Sequence, residues 1–285
     1  MTFAQSAGNS GLSFLKFGFG ARNIAMGDAG NAVSDDLTAL FYNPAKLKAG
    51  TGSEILLMHN EWIQDVSSEV LGVKSDLFGL PVALGFNVTT VRDIEVRSKP
   101  GPAESTFDAN YFFGSISTGF RVYKQMYFGI SGKYLYEGLF TDEATGFGFD
   151  FGALYSEAFE GLDLSAVVKN LGSMNKLRSS ETELPTEFRV GASYRVQKAM
   201  KDFDFIIAAE YQKYTSSDDS HLNFGGEIFY DNLFAIRAGY QTGYESRSFT
   251  GGIGLKWGML KFDYAFLPFA LGLGNANLFS LQLHF

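Results

Sequence analysis

From residue 53 to the C-terminus the chain alternates apolar and polar residues with a period of two, in separate segments rather than one run. That period sends successive side chains to opposite faces of an extended strand, so it argues for strands, not helices, over most of the sequence. Fourteen segments can be marked: 54–63, 67–74, 79–90, 108–122, 125–137, 145–156, 160–170, 186–196, 202–213, 220–230, 232–242, 247–257, 258–267 and 277–285. The number is even, and the segments are of the length, roughly 9 to 11 residues, that a tilted strand needs to cross a bilayer. The last one puts Phe279, Leu281, Leu283 and Phe285 on one face and stops at an aromatic residue. An apolar edge strand at a chain end frays and invites aggregation, whereas pairing it with the first strand of a barrel removes the edge.

The two faces of each segment differ sharply. In 186–196, Phe188, Val190, Ala192, Tyr194 and Val196 share one face, while Glu187, Arg189, Gly191, Ser193 and Arg195 share the other. In 258–267, Leu260, Phe262, Tyr264 and Phe266 oppose Lys261 and Asp263. Aromatics make up 16% of 285 residues, with 29 Phe and 14 Tyr, which exceeds what a soluble core of this size needs. This surplus selects the reading in which the apolar face points outward into lipid and the ionisable face lines a lumen. Connection lengths agree, because short links (123–124, 231–232, around 257–258) alternate with longer ones (91–107, 171–185, 268–276). Residues 53–285 are therefore expected to form an all-β, fourteen-stranded antiparallel transmembrane barrel, with the N-terminus on the periplasmic, short-turn side.

Residues 1–52 do not alternate and are expected to form a short helical plug, or hatch, inside the barrel. Ala21 to Met26 and Asp35 to Tyr42 read as short helices, the second capped by Ser34 with Asp35 and Asp36 in its first turn. Asn43-Pro44 ends it. No intact signal peptide is visible, and Thr2 to Gln5 read as the remnant of one cleaved after Ala4.

The hatch carries a resemblance. Gly20-Ala21-Arg22 to Met26-Gly27-Asp28-Ala29, then Ala32-Val33-Ser34-Asp35-Asp36 and Asn43-Pro44-Ala45, resemble the N-terminal hatch of the FadL-like fatty-acid transporter superfamily. Within it the likeness is to the PorV/PorQ family, and Arg237 to Tyr240, Gly252 to Leu255, Asp263 to Phe266 and the Ser280 to Phe285 ending are similar to that family's pattern. The resemblance implies a bacterial outer-membrane protein in one of two roles. The first is an accessory or cargo shuttle of type IX secretion, with secretion-system proteins or secreted cargo as partners. The second is a channel for hydrophobic small molecules, with such a ligand in the lumen. A purely structural outer-membrane role is the third reading.

Catalysis finds little footing. His59, His221 and His284 fall in different strands, there is no Cys, and neither a cofactor nor a metal is expected. Gly146 to Gly152 mimics a nucleotide loop, but the alternating Phe147, Phe149 and Phe151 make it a strand. Asp142-Glu143 and Asp218-Asp219 read as solvated loop tips rather than cation sites. A net charge of -8 with no basic stripe argues against nucleic acid. Arg189, Arg195, Glu210, Glu227, Arg237, Lys256 and Asp263 are expected to line the lumen and to pair across strands or with the hatch. Asn43 is expected to anchor hatch backbone. The apolar stretch 266–273, with Phe266, Leu267, Phe269 and Leu271, is expected to be a loop outside the wall that contacts a ligand or partner.

Overall fold

In the computed structural model, residues 12–48, 52–177, 183–200, 202–217 and 219–285 are described. The reading of Thr2 to Gln5 as a cleavage remnant and that of Asp218 as a loop tip fall outside these residues. Fourteen antiparallel strands close into one barrel: β1 (Glu54–Glu61), β2 (Val66–Leu77), β3 (Leu80–Val96), β4 (Ser105–Tyr123), β5 (Met126–Leu139), β6 (Asp142–Phe159), β7 (Leu162–Met174), β8 (Glu187–Met200), β9 (Phe203–Tyr214), β10 (Ser220–Tyr230), β11 (Phe234–Gln241), β12 (Phe249–Trp257), β13 (Leu260–Pro268) and β14 (Asn275–His284). The closing pair aligns Ile55 with Leu283 and Leu57 with Leu281. Ser53 and Phe285 add two reciprocal backbone hydrogen bonds, at 2.9 and 3.0 Å. Every strand therefore has a partner on each side and no sheet edge is left.

Alternation sorts the faces as the sequence predicts. Leu57, Leu71, Phe86, Ile130, Phe149, Val190, Phe224 and Phe262 are exposed on the outer surface. Asn87, Ser131, Asp150, Glu187, Arg189, Glu210, Asn223 and Arg237 are buried in the lumen. No described helix is long and apolar enough to cross a membrane. At one end of the barrel the strands join through two or three residues, as at 78–79, 124–125, 160–161 and 258–259. The connections at the other end reach 97–104 and 175–186. These are the short-turn and long-loop ends below.

Several strands outrun their sequence-based limits. β3 and β4 continue to Val96 and from Ser105, into the expected 91–107 connection, past a register shift between Val91 and Ile94 where Asp93 takes φ 55°. β7 continues to Met174 past a bulge at Asn170, φ 59°. Bulges interrupt the period of two, so polar residues beyond them read as loop although pairing resumes.

The N-terminal segment lies in the lumen as α1 (Ala21–Ala25), α2 (Gly30–Val33) and α3 (Ala39–Tyr42), with 3₁₀ turns at Ser13–Lys16 and Pro44–Lys48. The expected helix from Asp35 to Tyr42 is corrected: only its last turn is α-helical, and Ser34 ends α2 instead, its Oγ donating to the Gly30 carbonyl at 2.7 Å. The reason is electrostatic. Asp35 and Asp36 are drawn to cations of the wall, and Asp36 Oδ1 accepts from the Thr38 N–H at 3.0 Å as a local turn.

Glycine on the lumenal face lets the hatch touch the wall. A Cβ on Gly129 would stand 2.2 Å from Pro44 C and Ala45 N, and one on Gly239 would stand 2.0 Å from Gly27 N. Gly27 itself takes φ 70°, which any other residue adopts only under strain. Gly129→Ala is expected to lower barrel stability by about 1–3 kcal/mol through overpacking, read as a lower unfolding temperature in detergent.

Candidate functional site

The hatch is bolted to the wall by hydrogen bonds from its own backbone. Ala21 N–H donates to Ser280 Oγ at 2.9 Å, Asn31 N–H to Glu210 Oε2 at 2.9 Å, and Leu37 N–H to Glu54 Oε2 at 2.8 Å. Thr250 Oγ1 accepts from Gly27 N–H at 3.1 Å and donates to the Ala25 carbonyl at 3.0 Å. Segments this short cannot satisfy their own amides, so wall side chains act as their caps. Asn43 bonds both hatch and wall: its Nδ2 donates to Asn31 Oδ1 (2.9 Å) and the Ala153 carbonyl (3.1 Å), while its Oδ1 accepts from Ala45 N–H (3.0 Å). Pro44 then leads into the turn seated on Gly129.

Two charge networks fasten α1 and the bends that follow it. In the first, Arg22 grips Glu227 with two hydrogen bonds, 2.9 and 2.8 Å, and also pairs with Asp35, which in turn meets Arg195. Glu227 continues to Arg237, Arg237 to Asp263 at 2.8 Å, and Lys261 closes the chain on Asp36 at 2.7 Å. In the second, Arg189 meets Asp28 at 3.2 Å, Glu210 at 3.0 Å and Glu187 at 3.0 Å, with Lys169 on Glu187 at 2.7 Å. Asp28 also accepts from the Tyr42 hydroxyl at 2.5 Å. The networks unite Arg22, Asp28, Asp35, Asp36, Arg189, Arg195, Glu210, Glu227, Arg237 and Asp263 from the residues picked out in the sequence. Lys256 stands apart, with its ammonium 3.4 Å from Asn232 Oδ1. Gly20 (φ 84°) and Gly27 are turn residues flanking α1.

Other parts of the hatch surface are apolar. Phe14, Phe19, Leu40, Phe41 and Leu47 pack on Leu56, Met58, Val70, Phe113 and Leu135 of β1–β5, together with Met174 and Leu184. Phe17 and Trp62 stack at 4.6 Å and Phe14 meets Tyr111 at 5.3 Å, extending this seam toward the long-loop end. At the short-turn end the lumen opens into a cavity of about 500 Å³ lined by Arg22, Asp35, Arg195, Glu227, Lys256, Lys261 and Met259. A second cavity of about 490 Å³ shares Asp35, Arg195 and Ile206 with it.

The expected ligand loop 266–273 is corrected. Phe266 and Leu267 belong to β13, because pairing of Leu267 with Ala276 and Pro268 with Asn275 carries the wall through them. Phe266 faces outward, Leu267 is buried in the lumen, Phe269 is half-buried beside the α1 cluster, and Leu271 alone of the four is a fully exposed loop residue. The histidines are dispersed: His59 pairs with Glu69 on the outer face at 2.6 Å, His221 stacks on Tyr244, and His284 lies 3.7 Å from Glu54. Among the described residues no group of three or more His, Cys, Asp or Glu is placed to hold a metal ion.

No protein-family model matches the chain, and no curated protein matches its sequence. Solved structures do match. The Ralstonia pickettii toluene transporter TbuX aligns over 94% of this chain and 98% of its own, at 14% identity and a TM-score of 0.64. The Pseudomonas putida toluene transporter TodX aligns over 94% and 99%, at 12% identity and 0.67. A Pseudomonas aeruginosa FadL homologue aligns over 92% and 97%, at 11% identity and 0.53. The chain shares their fold. The finer likeness to the PorV/PorQ family has no counterpart among these matches.

The sequence did not reveal the apolar seam, because Phe14, Phe17 and Phe19 precede the hatch motif in a stretch with no periodic pattern. Replacing Arg189 by Met leaves three buried carboxylates around the vacated site. A loss of about 3–5 kcal/mol is expected, measured by thermal or urea unfolding. The latch around Arg22 is also pH-dependent. Burial raises the Asp35 and Asp36 carboxyls, but Arg22, Arg195 and Lys261 overturn this and hold both far below the usual carboxylate range. A depressed carboxylate stabilises the fold above its unfolded value, about pH 4, and that contribution is lost as pH falls toward the folded one. The unfolding temperature should therefore fall as pH is lowered below about 4. The Asp35→Asn, Asp36→Asn variant should show a flatter profile.

Proposed function

We propose that the chain is an outer-membrane channel for small hydrophobic molecules, held shut by its hatch. The observation that carries this reading is the continuous apolar seam between the hatch and β1–β5, reached at the long-loop end through Phe17, Trp62 and Tyr111. A barrel that passed polar solutes would line its path with polar groups, whereas here the charged groups that meet the hatch are taken up in ion pairs with β7–β13. The fold shared with toluene transporters supports the same reading. On this reading the exposed apolar outer face lies in lipid, and the short-turn end, and with it the hatch-side cavities, faces the periplasm, which the difference in connection lengths supports. Outer-membrane lipids are then its surroundings, and no cofactor or catalytic step is assigned. The secretion-accessory reading, with protein partners, finds no support in the comparisons, so the hydrophobic-molecule reading comes first.

Passage along the seam requires the hatch to shift, and the absence of Cys permits a direct test. A Cβ on Gly191 would lie 3.2 Å from the Ala32 Cβ, so an Ala32→Cys, Gly191→Cys pair spans hatch and wall. In vesicles carrying the oxidised pair, toluene uptake is expected to fall to the level of protein-free vesicles and to return on reduction. Uptake that is the same oxidised and reduced would show that the hatch need not move. No uptake by the unsubstituted protein would remove the channel reading itself.

A further inference from the structure

We infer that the lumenal wall of β1–β3 holds a recognition spot for one neutral polar group, a hydroxyl above all, carried by an otherwise aromatic molecule. The inference rests on the channel reading and names its substrate class. Asn60 and Asn87 face the lumen and are 1% and 0% exposed, and Trp62, 7% exposed, folds in just past the end of β1. Asn60 Oδ1, Asn87 Nδ2 and Trp62 Nε1 have no hydrogen-bond partner among the described residues. A buried polar atom left without a partner is destabilising, and three on one patch call for a cause.

Register sets Asn60 and Asn87 on one lumenal face, two strands and one inward rung apart. Val70 stands opposite both Met58 and Asn87, and Asn60 lies two residues beyond Met58 on the same face of β1. The Asn87 amide is oriented by its neighbours: its Oδ1 accepts from Thr89 Oγ1 at 3.0 Å, and Thr89 is bonded to Ser68 at 2.7 Å, which leaves Nδ2 over. Aromatic rings border the patch. Phe113, opposite Asn87, stacks on Phe14 at 6.2 Å, and Trp62 stacks on Phe17. The spot thus belongs to the apolar seam, at its long-loop end.

The donor set selects the ligand. An amide oxygen and N–H donors along one face suit a hydroxyl, which can give its hydrogen to Asn60 Oδ1 with Trp62 Nε1 as donor to its oxygen, or accept from Asn87 Nδ2. A plain hydrocarbon leaves all three unpaired. A carboxylate would face the Asn60 oxygen with no cation to meet it, since Lys74 is bound to Glu54 and the Lys16 ammonium sits over Tyr214. The lumenal carboxylate Glu137, opposite Tyr111, makes an anion still less welcome on this side.

The full chain with Trp257→Phe keeps Trp62 as its single tryptophan, so ligand binding can be followed by Trp62 fluorescence. p-Cresol is expected to bind about tenfold more tightly than toluene. Asn60→Leu with Asn87→Leu should bring the two affinities level. Should that double variant fail to fold, Asn60→Leu alone gives the same readout. Equal affinities before substitution, or a preference that survives it, overturn the inference, while toluene binding leaves the channel reading standing. Failure of both ligands to bind removes that reading and the inference with it.

Discussion

The bidentate grip of Arg22 on Glu227 is the contact on which the arrangement of the lumen depends. A fourteen-stranded barrel with an apolar exterior has to turn its ionisable residues inward, and inward charges without partners would make the fold untenable. In the network around Glu227 the wall supplies Arg195, Arg237 and Lys261 against Glu227 and Asp263, an excess of one positive charge. The hatch supplies Arg22 against Asp35 and Asp36, an excess of one negative. Neither part is neutral alone, and together they are. This complementarity explains why two adjacent aspartates, poor company on any helix, sit side by side at the base of the hatch.

The ion pairs and the largest apolar cluster meet the plug from different parts of the wall. β7–β13 supply the ion pairs, which are directional and fix its position. β1–β5 hold it through aromatic and aliphatic packing, which is non-directional and can be exchanged for the surface of another apolar molecule. A plug secured in this way has a rigid side and a replaceable side.

The wall was legible in the sequence because burial on one face writes a period of two into every strand, from Glu54 to His284. Lumenal charges were legible for the same reason, since Arg189, Glu227 and Arg237 fall on the inward phase. The seats of the hatch were not. Nothing in the sequence sets Gly129, Gly152, Gly225 and Gly239 apart from other strand glycines, whereas each leaves room for a specific piece of the plug, and only the three-dimensional partner reveals that. The error at Asp35 to Tyr42 has a related origin: local capping rules favoured a helix there, and cations more than 150 residues away in sequence won. Phe266 and Leu267 fell in both the strand 258–267 and the loop 266–273, because a fully apolar strand end and an apolar loop look alike until pairing with Asn277 and Ala276 is seen.

The contacts of the last strand carry an implication for assembly. Ser280 bonds the amide that opens α1, and Gln282 bonds Asp36 at 3.0 Å. β14 is therefore read against the earliest described part of the chain as well as against β1. With glycine seats that leave no clearance, a finished cylinder could not admit its own plug. The contacts of β14 with α1 and Asp36 thus tie closure of the wall to the seating of the N-terminal segment.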